Sequence, residues 1–131
     1  MTEVTANEAT VKVRNGPLVG PVLGRVVGML AARAQCPIDR LDDALLITDA
    51  VAAHAPRYAL DGYVSVIVRA DEAGIELSVG PLCEQGADGV VADAALPGIG
   101  NVLEQIADVI ETGNAPDGTG EQLVIRLRFV R

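Results

Sequence analysis

The chain has 131 residues, enough for one compact domain with its own core and too few to expect two. Half of them are apolar, but only 2% are aromatic and none is tryptophan, so Val, Leu, Ile and Ala must build the interior. A net charge of −8 argues against nucleic acid or an anionic membrane as partner, because neither gains by meeting an acidic surface.

The opening segment, MTEVTANEAT, is polar and acidic where a signal peptide needs a basic start and an apolar block. Residues 1–8 are expected to be disordered, with a single domain over 9–131. No uninterrupted apolar run is long enough to span a bilayer. Cys36 and Cys83 match no CxxC or zinc spacing, so they read as ordinary thiols in a reducing, cytoplasmic setting.

The stretch ATVKVRN alternates apolar and charged side chains, the period of a half-exposed strand, and the turn residues NGP end it. From there to residue 34, Leu18, Val22, Val26, Met29 and Leu30 recur at helical spacing, which predicts a helix over 21–34. Pro37 cannot continue that helix, and the acidic DRLDD favours the first turn of a second over 39–55, stopped by Pro56. GYVSVIVRA and GIELSVG then form two alternating runs joined by DEAG, a hairpin.

Residues 81–97, with two glycines and no sustained period, read as a long loop with a short helical turn near 90–95. The stripe Ile99, Val102, Leu103, Ile106, Val109, Ile110 predicts a one-sided helix over 99–111. TGNAPDGTGE reads as a polar turn and QLVIRLRFV as the closing strand, with Arg126, Arg128 and Arg131 alternating on a solvated face. Too few helices for a doubly wound sheet, plus a central hairpin, give an α+β two-layer sandwich. Leu45, Leu46, Val66, Val68, Leu77, Val102, Leu103, Ile106, Val124 and Leu127 are the expected core.

The element order and three local motifs resemble the GHKL, or Bergerat-type, ATPase fold, and within it the anti-sigma-factor serine kinases. The motifs are DAVAAHA on the second helix, where that branch carries E-A-V-x-N-A; VGPLCEQG after the hairpin, where it has D-x-G-x-G; and GIGNVLEQIADVIE, followed by GTGE and the last strand. The resemblance implies a mixed sheet with helices on one face, and a nucleotide held by Gly98, Gly100, Asn101 and Thr119.

Chemistry separates this chain from the branch it resembles. Glycines at a helix start let backbone amides approach a phosphate, and Gly98 and Gly100 stand where such a cradle would sit. Asp49 and Ala53, four apart on one helical face, match a glutamate that activates the attacking hydroxyl and an asparagine that helps hold Mg²⁺. Asp49 keeps the carboxylate on a side chain shorter by about 1.5 Å, one carbon-carbon bond. Ala53 offers no ligand, and His54 lies about 100° round the helix. The aspartate that reads adenine's amine aligns with Gly80 and Pro81, which have no acceptor side chain, and Asp88 is a displaced substitute at best.

The resemblance with these substitutions points to a regulatory, anti-sigma-factor-like protein without kinase activity or cofactor, acting by binding a protein such as a sigma factor or an anti-sigma antagonist, with a homodimer as one form. The alternative is a serine/threonine kinase using Mg-ATP, with Asp49 as base. A ligand-binding or dimeric scaffold unconnected with transcription is the third reading.

Overall fold

A computed structural model describes residues 7–130. Of the expected disordered segment, residues 1–6 lie outside the described residues, as does Arg131. Asn7 and Glu8, the last two residues of that segment, begin the first strand, β1 (Asn7–Arg14). Then follow α1 (Val19–Arg33), α2 (Ile38–His54), β2 (Tyr63–Ala70), β3 (Gly74–Leu82), α3 (Gly86–Asp93), the two-residue strands β4 (Ala95–Leu96) and β5 (Gly100–Asn101), α4 (Val102–Ile106), β6 (Val109–Asn114) and β7 (Glu121–Arg128).

Five strands form one sheet in the order β1-β2-β3-β7-β6, and every pairing in it is antiparallel. The sheet is therefore not mixed, since hairpins and the closing β6–β7 pair join neighbours that run in opposite directions. Alternation decides the layers: Val64, Val66, Val68 and Ala70 of β2, Ile75, Leu77 and Val79 of β3, and Leu123, Ile125 and Leu127 of β7 are buried on one face. They form one core with Leu23, Val27 and Leu30 of α1, Ala44, Ile47 and Val51 of α2, Val90 of α3 and Leu103 of α4. The intervening Ser65, Ile67, Arg69, Glu76, Ser78 and Arg126 are half-buried or exposed. The protein is an α+β two-layer sandwich with its helices on one face and the other face of the sheet open.

The first two helices form close to where their periodicity placed them. They run antiparallel, with Gly20 near the start of α1 packed towards Ala52 near the end of α2. The helix expected over 99–111 is mostly not there. Only Val102–Ile106 is helical, Ala107 is extended, and 109–114 is strand. Asn101 starts the helix by accepting a hydrogen bond from the Glu104 amide at 3.1 Å. Beyond Ala107, the Asp108 amide donates to the Arg126 carbonyl and the β-branched pair Val109–Ile110 continues the ladder against β7. Ile99, counted in the helical stripe, is 65% exposed.

The expected loop over 81–97 is also largely ordered elements: β3 runs through Leu82, and α3 occupies 86–93. Two of the expected core positions differ too. Leu46 is 48% exposed on the outer side of α2, and Val124 lies on the open face of the sheet opposite Ser78 and Glu111. Leu45, Val102 and Ile106 are half-buried, while Val66, Val68, Leu77, Leu103 and Leu127 are buried as expected.

Candidate functional site

The residues singled out for nucleotide chemistry fall in three places. Asp49 is exposed on α2, and among the described residues its carboxylate makes no hydrogen bond or ion pair. Its neighbour Thr48 is buried, with its hydroxyl donating to the Ala44 carbonyl at 2.8 Å. Ala53 is exposed and His54 half-buried, in the last turn of the same helix.

Gly98 lies in the turn between β4 and β5 and Gly100 opens β5, with φ of 77° and 107°, a region that favours glycine. Next to them, Asn101 spends both ends of its amide on structure, accepting from Glu104 and donating through Nδ2 to the Val91 carbonyl at 2.6 Å. Thr119 is in the β6–β7 turn, where its amide donates to Asp117 Oδ1 at 2.9 Å. Gly98, Gly100 and Asn101 thus share one segment. No hydrogen bond or ion pair among the described residues links them to Asp49 or Thr119.

Gly80 and Pro81 sit at an irregularity of the β3–β7 register, between Val79 and Leu82. Gly80 alternates with Val79 and so belongs to the open face, where it lines a cleft of about 290 Å³ with Ser65, Ser78, Gln122 and Asp117. A Cβ on Gly80 would stand 2.7 Å from the Glu121 carbonyl oxygen. Asp88 is in the first turn of α3, beside a cavity of about 400 Å³ shared with Glu104 and Thr112.

Several polar groups that the sequence did not single out hold this end of the molecule together. Glu121 of β7 caps α3, accepting from the Gln85 amide at 2.7 Å and the Ala87 amide at 3.3 Å. Arg40, 4% exposed, donates to the Arg128 carbonyl, to Asp43 and to Asp108 at 2.8 to 2.9 Å. On the open face Arg126 pairs with Glu76 at 2.7 Å and Glu111 at 3.0 Å, so the arginine expected to be merely solvated is held by two carboxylates. Both carboxylates push its pKa up and keep it charged. Burial pushes the Cys36 thiol up, with Arg40 pulling the other way.

Tyr58 lies on α3 over Gly86 and Gly89, where a Cβ on Gly89 would stand 2.5 Å from the ring. Its hydroxyl donates to Asp93 at 2.8 Å, and Arg57 lies over the ring. That hydrogen bond, with desolvation adding to it, raises the Tyr58 pKa above the ordinary 10.0. The protonated phenol is the form that folding favours, so its contribution is present below pH 10.0 and is lost as pH rises through the raised value. In a Tyr63→Phe background, where Tyr58 is the only tyrosine, Asp93→Ala should lower the midpoint of the tyrosinate absorbance titration. An unmoved midpoint would remove the Asp93 hydrogen bond as the cause.

Among the described residues, no group of three or more His, Cys, Asp or Glu could hold a metal ion, and no helix is long and apolar enough to cross a membrane. No model of a known protein family matches the chain, and no curated protein matches it in sequence.

Proposed function

We propose that this is a cytoplasmic regulatory protein of the anti-sigma-factor kind, built on a GHKL-like domain, that acts by binding another protein rather than by transferring phosphate. The reading of what it is rests on the sequence motifs around Asp49, Gly98 and Gly120, with which an α+β sandwich carrying its helices on one face is compatible. The reading of what it no longer does rests on one observation: Gly80 and Pro81, aligned with the adenine-reading aspartate, line the cleft on the open side of the sheet, and a Cβ on Gly80 would stand 2.7 Å from the Glu121 carbonyl oxygen. Asp49 is on the helical side. A base read at Gly80 and a phosphate attacked from Asp49 would lie on opposite faces of one sheet. Ala53 removes the metal ligand as well, and phosphoryl transfer depends on positioning and on metal charge.

The partner class that this reading carries is a protein, a sigma factor or an antagonist of one. Calorimetric titration with Mg-ATP tests the chemistry. A missing acceptor for adenine's amine costs roughly 1 to 3 kcal/mol, about 5- to 150-fold in affinity, before the metal contact is counted. Dissociation is therefore expected in the high micromolar range or weaker, with no phosphoprotein from labelled ATP and a candidate antagonist. A low-micromolar constant that weakens on Asp49→Ala or Gly100→Val would overturn the reading in favour of a kinase with Asp49 as base.

A further inference from the structure

The helices cover one face of the sheet and leave the other open, and the open face has the opposite charge from the molecule as a whole. Lys12, Arg14, Arg69, Arg126 and Arg128 alternate with inward residues and stand on it, half of the chain's 10 basic side chains. Of the 18 acidic side chains, Glu8, Glu76 and Glu111 are the ones at its strand positions among the described residues. The strands therefore present a cationic face on a chain of net charge −8. Arg126 is held by Glu76 and Glu111. Arg69 reaches Glu8 only at 3.9 Å, with both side chains more than half exposed, a contact that contributes little. Lys12, Arg14 and Arg128 have no ion pair among the described residues, and the first two converge over the Tyr63 ring at 5.0 and 5.8 Å from its centroid.

The register sets these charges in order. Lys12 is level with Ser65, and Arg69 lies four residues further along β2, about 14 Å away at 3.4 Å per residue. Ile67 is midway and 41% exposed. Beyond Arg69 a cleft of about 360 Å³ opens between it and Arg128. Gly74, opposite Arg128, gives that cleft no side-chain wall, and a Cβ there would collide with the Leu127 carbonyl oxygen. Glu76 and Asp71 line the cleft too, but their carboxylates are engaged: Arg126 holds the first, and the Ala73 and Gly74 amides donate to the second at 2.8 and 3.2 Å.

We propose that this open face binds an extended acidic segment of another protein, one with a carboxylate, an apolar side chain two residues on and a second carboxylate four residues on. In an extended chain those three side chains point to one side about 7 Å apart, the spacing of the Lys12, Ile67 and Arg69 levels. The first carboxylate meets Lys12 beside Arg14, the apolar side chain covers Ile67, and the second carboxylate enters the cleft between Arg69 and Arg128. Charge complementarity selects the occupant. A nucleic acid would carry its charge past this face onto the acidic remainder of the molecule, and Tyr63 is the one aromatic ring the described open face offers for stacking. The inference rests on the protein-binding reading for its class of occupant; neither Mg-ATP nor a sigma factor enters its test, so the two can fail separately.

The probe is a fluorescein-labelled peptide in which Glu-Thr-Val-Thr repeats twice and ends on Glu. Its anisotropy is titrated with the full chain in about 0.1 M salt, where exposed charges beyond roughly 10 Å are screened. The peptide should bind, and its counterpart with lysine for glutamate should not, although the net charge of −8 favours the lysine form. Arg69→Glu with Arg128→Glu should weaken binding by about tenfold or more, and Lys12→Glu, at the other end of the face, by about threefold or more. Arg25→Glu with Arg33→Glu makes the same change in net charge on the exposed side of α1 and should leave binding within about twofold. Circular dichroism checks that each variant is folded, and Lys12→Glu keeps the test decisive should the Arg69, Arg128 variant not fold. No binding, equal binding of the lysine peptide, or an equal loss in the α1 variant would each overturn the proposal. So would tighter binding of an oligonucleotide than of the peptide, or self-association abolished by Arg69→Glu with Arg128→Glu, which would make a second copy the occupant.

Discussion

Leu103→Ala is expected to destabilise the fold by about 2 to 5 kcal/mol, the range for emptying an enclosed leucine site. Leu103 has no exposed surface, although it stands on a helix of only five residues. A helix that short does not hold itself in water, and alanine is the better helix former, so the loss comes from the cavity and not from propensity. With a urea slope of about 1 to 3 kcal/mol per molar, the denaturation midpoint should fall by roughly 1 M or more at unchanged slope. Ile99→Ala makes the contrast. Had residues 99–111 formed one amphipathic helix, Ile99 would share the buried stripe; being 65% exposed, its truncation should change stability by no more than about 0.5 kcal/mol. An unchanged midpoint in Leu103→Ala would remove the inward face of α4.

The same segment shows where sequence periodicity stops being informative. Val102, Leu103 and Ile106 fit helical spacing, and Val109 and Ile110 extend it, but two adjacent β-branched residues fit a strand equally well. What separates the two is β7, whose Arg126 carbonyl and Arg128 amide take up Asp108. Only the end of helix α3 was legible, as a short helical turn near 90–95, and its start was missed for a similar reason. Its N-terminal amides are satisfied by Glu121, which arrives from the last strand and leaves no local capping signal. By contrast β1, β2, β3 and β7 alternate cleanly because one face of each meets the helices, and α1 and α2 were legible because Pro37 and Pro56 punctuate them.

The candidate site divides along the same line. The glycines at 98 and 100 read as the start of a helix, but they instead frame the tight connection of β4 to β5, both with positive φ, and the helix begins only at Val102. That Gly80 faces away from the helices follows from the alternation of GIELSVG, with Ile75, Leu77 and Val79 inward, but that the strand continues past the register irregularity to Leu82 could not be read. Leu46 and Val124 show the limit for single residues. Each is apolar inside an apolar run, and only the packing of the layers leaves one on the outer side of α2 and the other on the open sheet.

Arg40→Ala is expected to cost about 2 to 4 kcal/mol. Removing one partner of an enclosed ion pair costs about 3 to 5 kcal/mol, and the figure here is lower because Asp43 and Asp108 keep 23% and 27% of their side-chain surface in water. The guanidinium ties three elements at once: its Nε reaches the Arg128 carbonyl at the end of β7, one terminal nitrogen reaches Asp43 on α2, and the other reaches Asp108 between α4 and β6. Asp108 in turn accepts from the Arg128 amide at 2.6 Å, so the truncated protein loses the donor to a carbonyl and the counter-charge to two carboxylates together. Arg40→Lys should recover only part of the loss, since one ammonium lacks the planar fork that meets three acceptors in fixed directions. Asp43→Ala, which releases a single arm, should cost less than Arg40→Ala. Urea midpoints in that order would establish Arg40 as the clamp between α2 and the closing strands; an Arg40→Ala midpoint equal to that of the unaltered protein would leave the cluster as a surface arrangement with no hold on the fold.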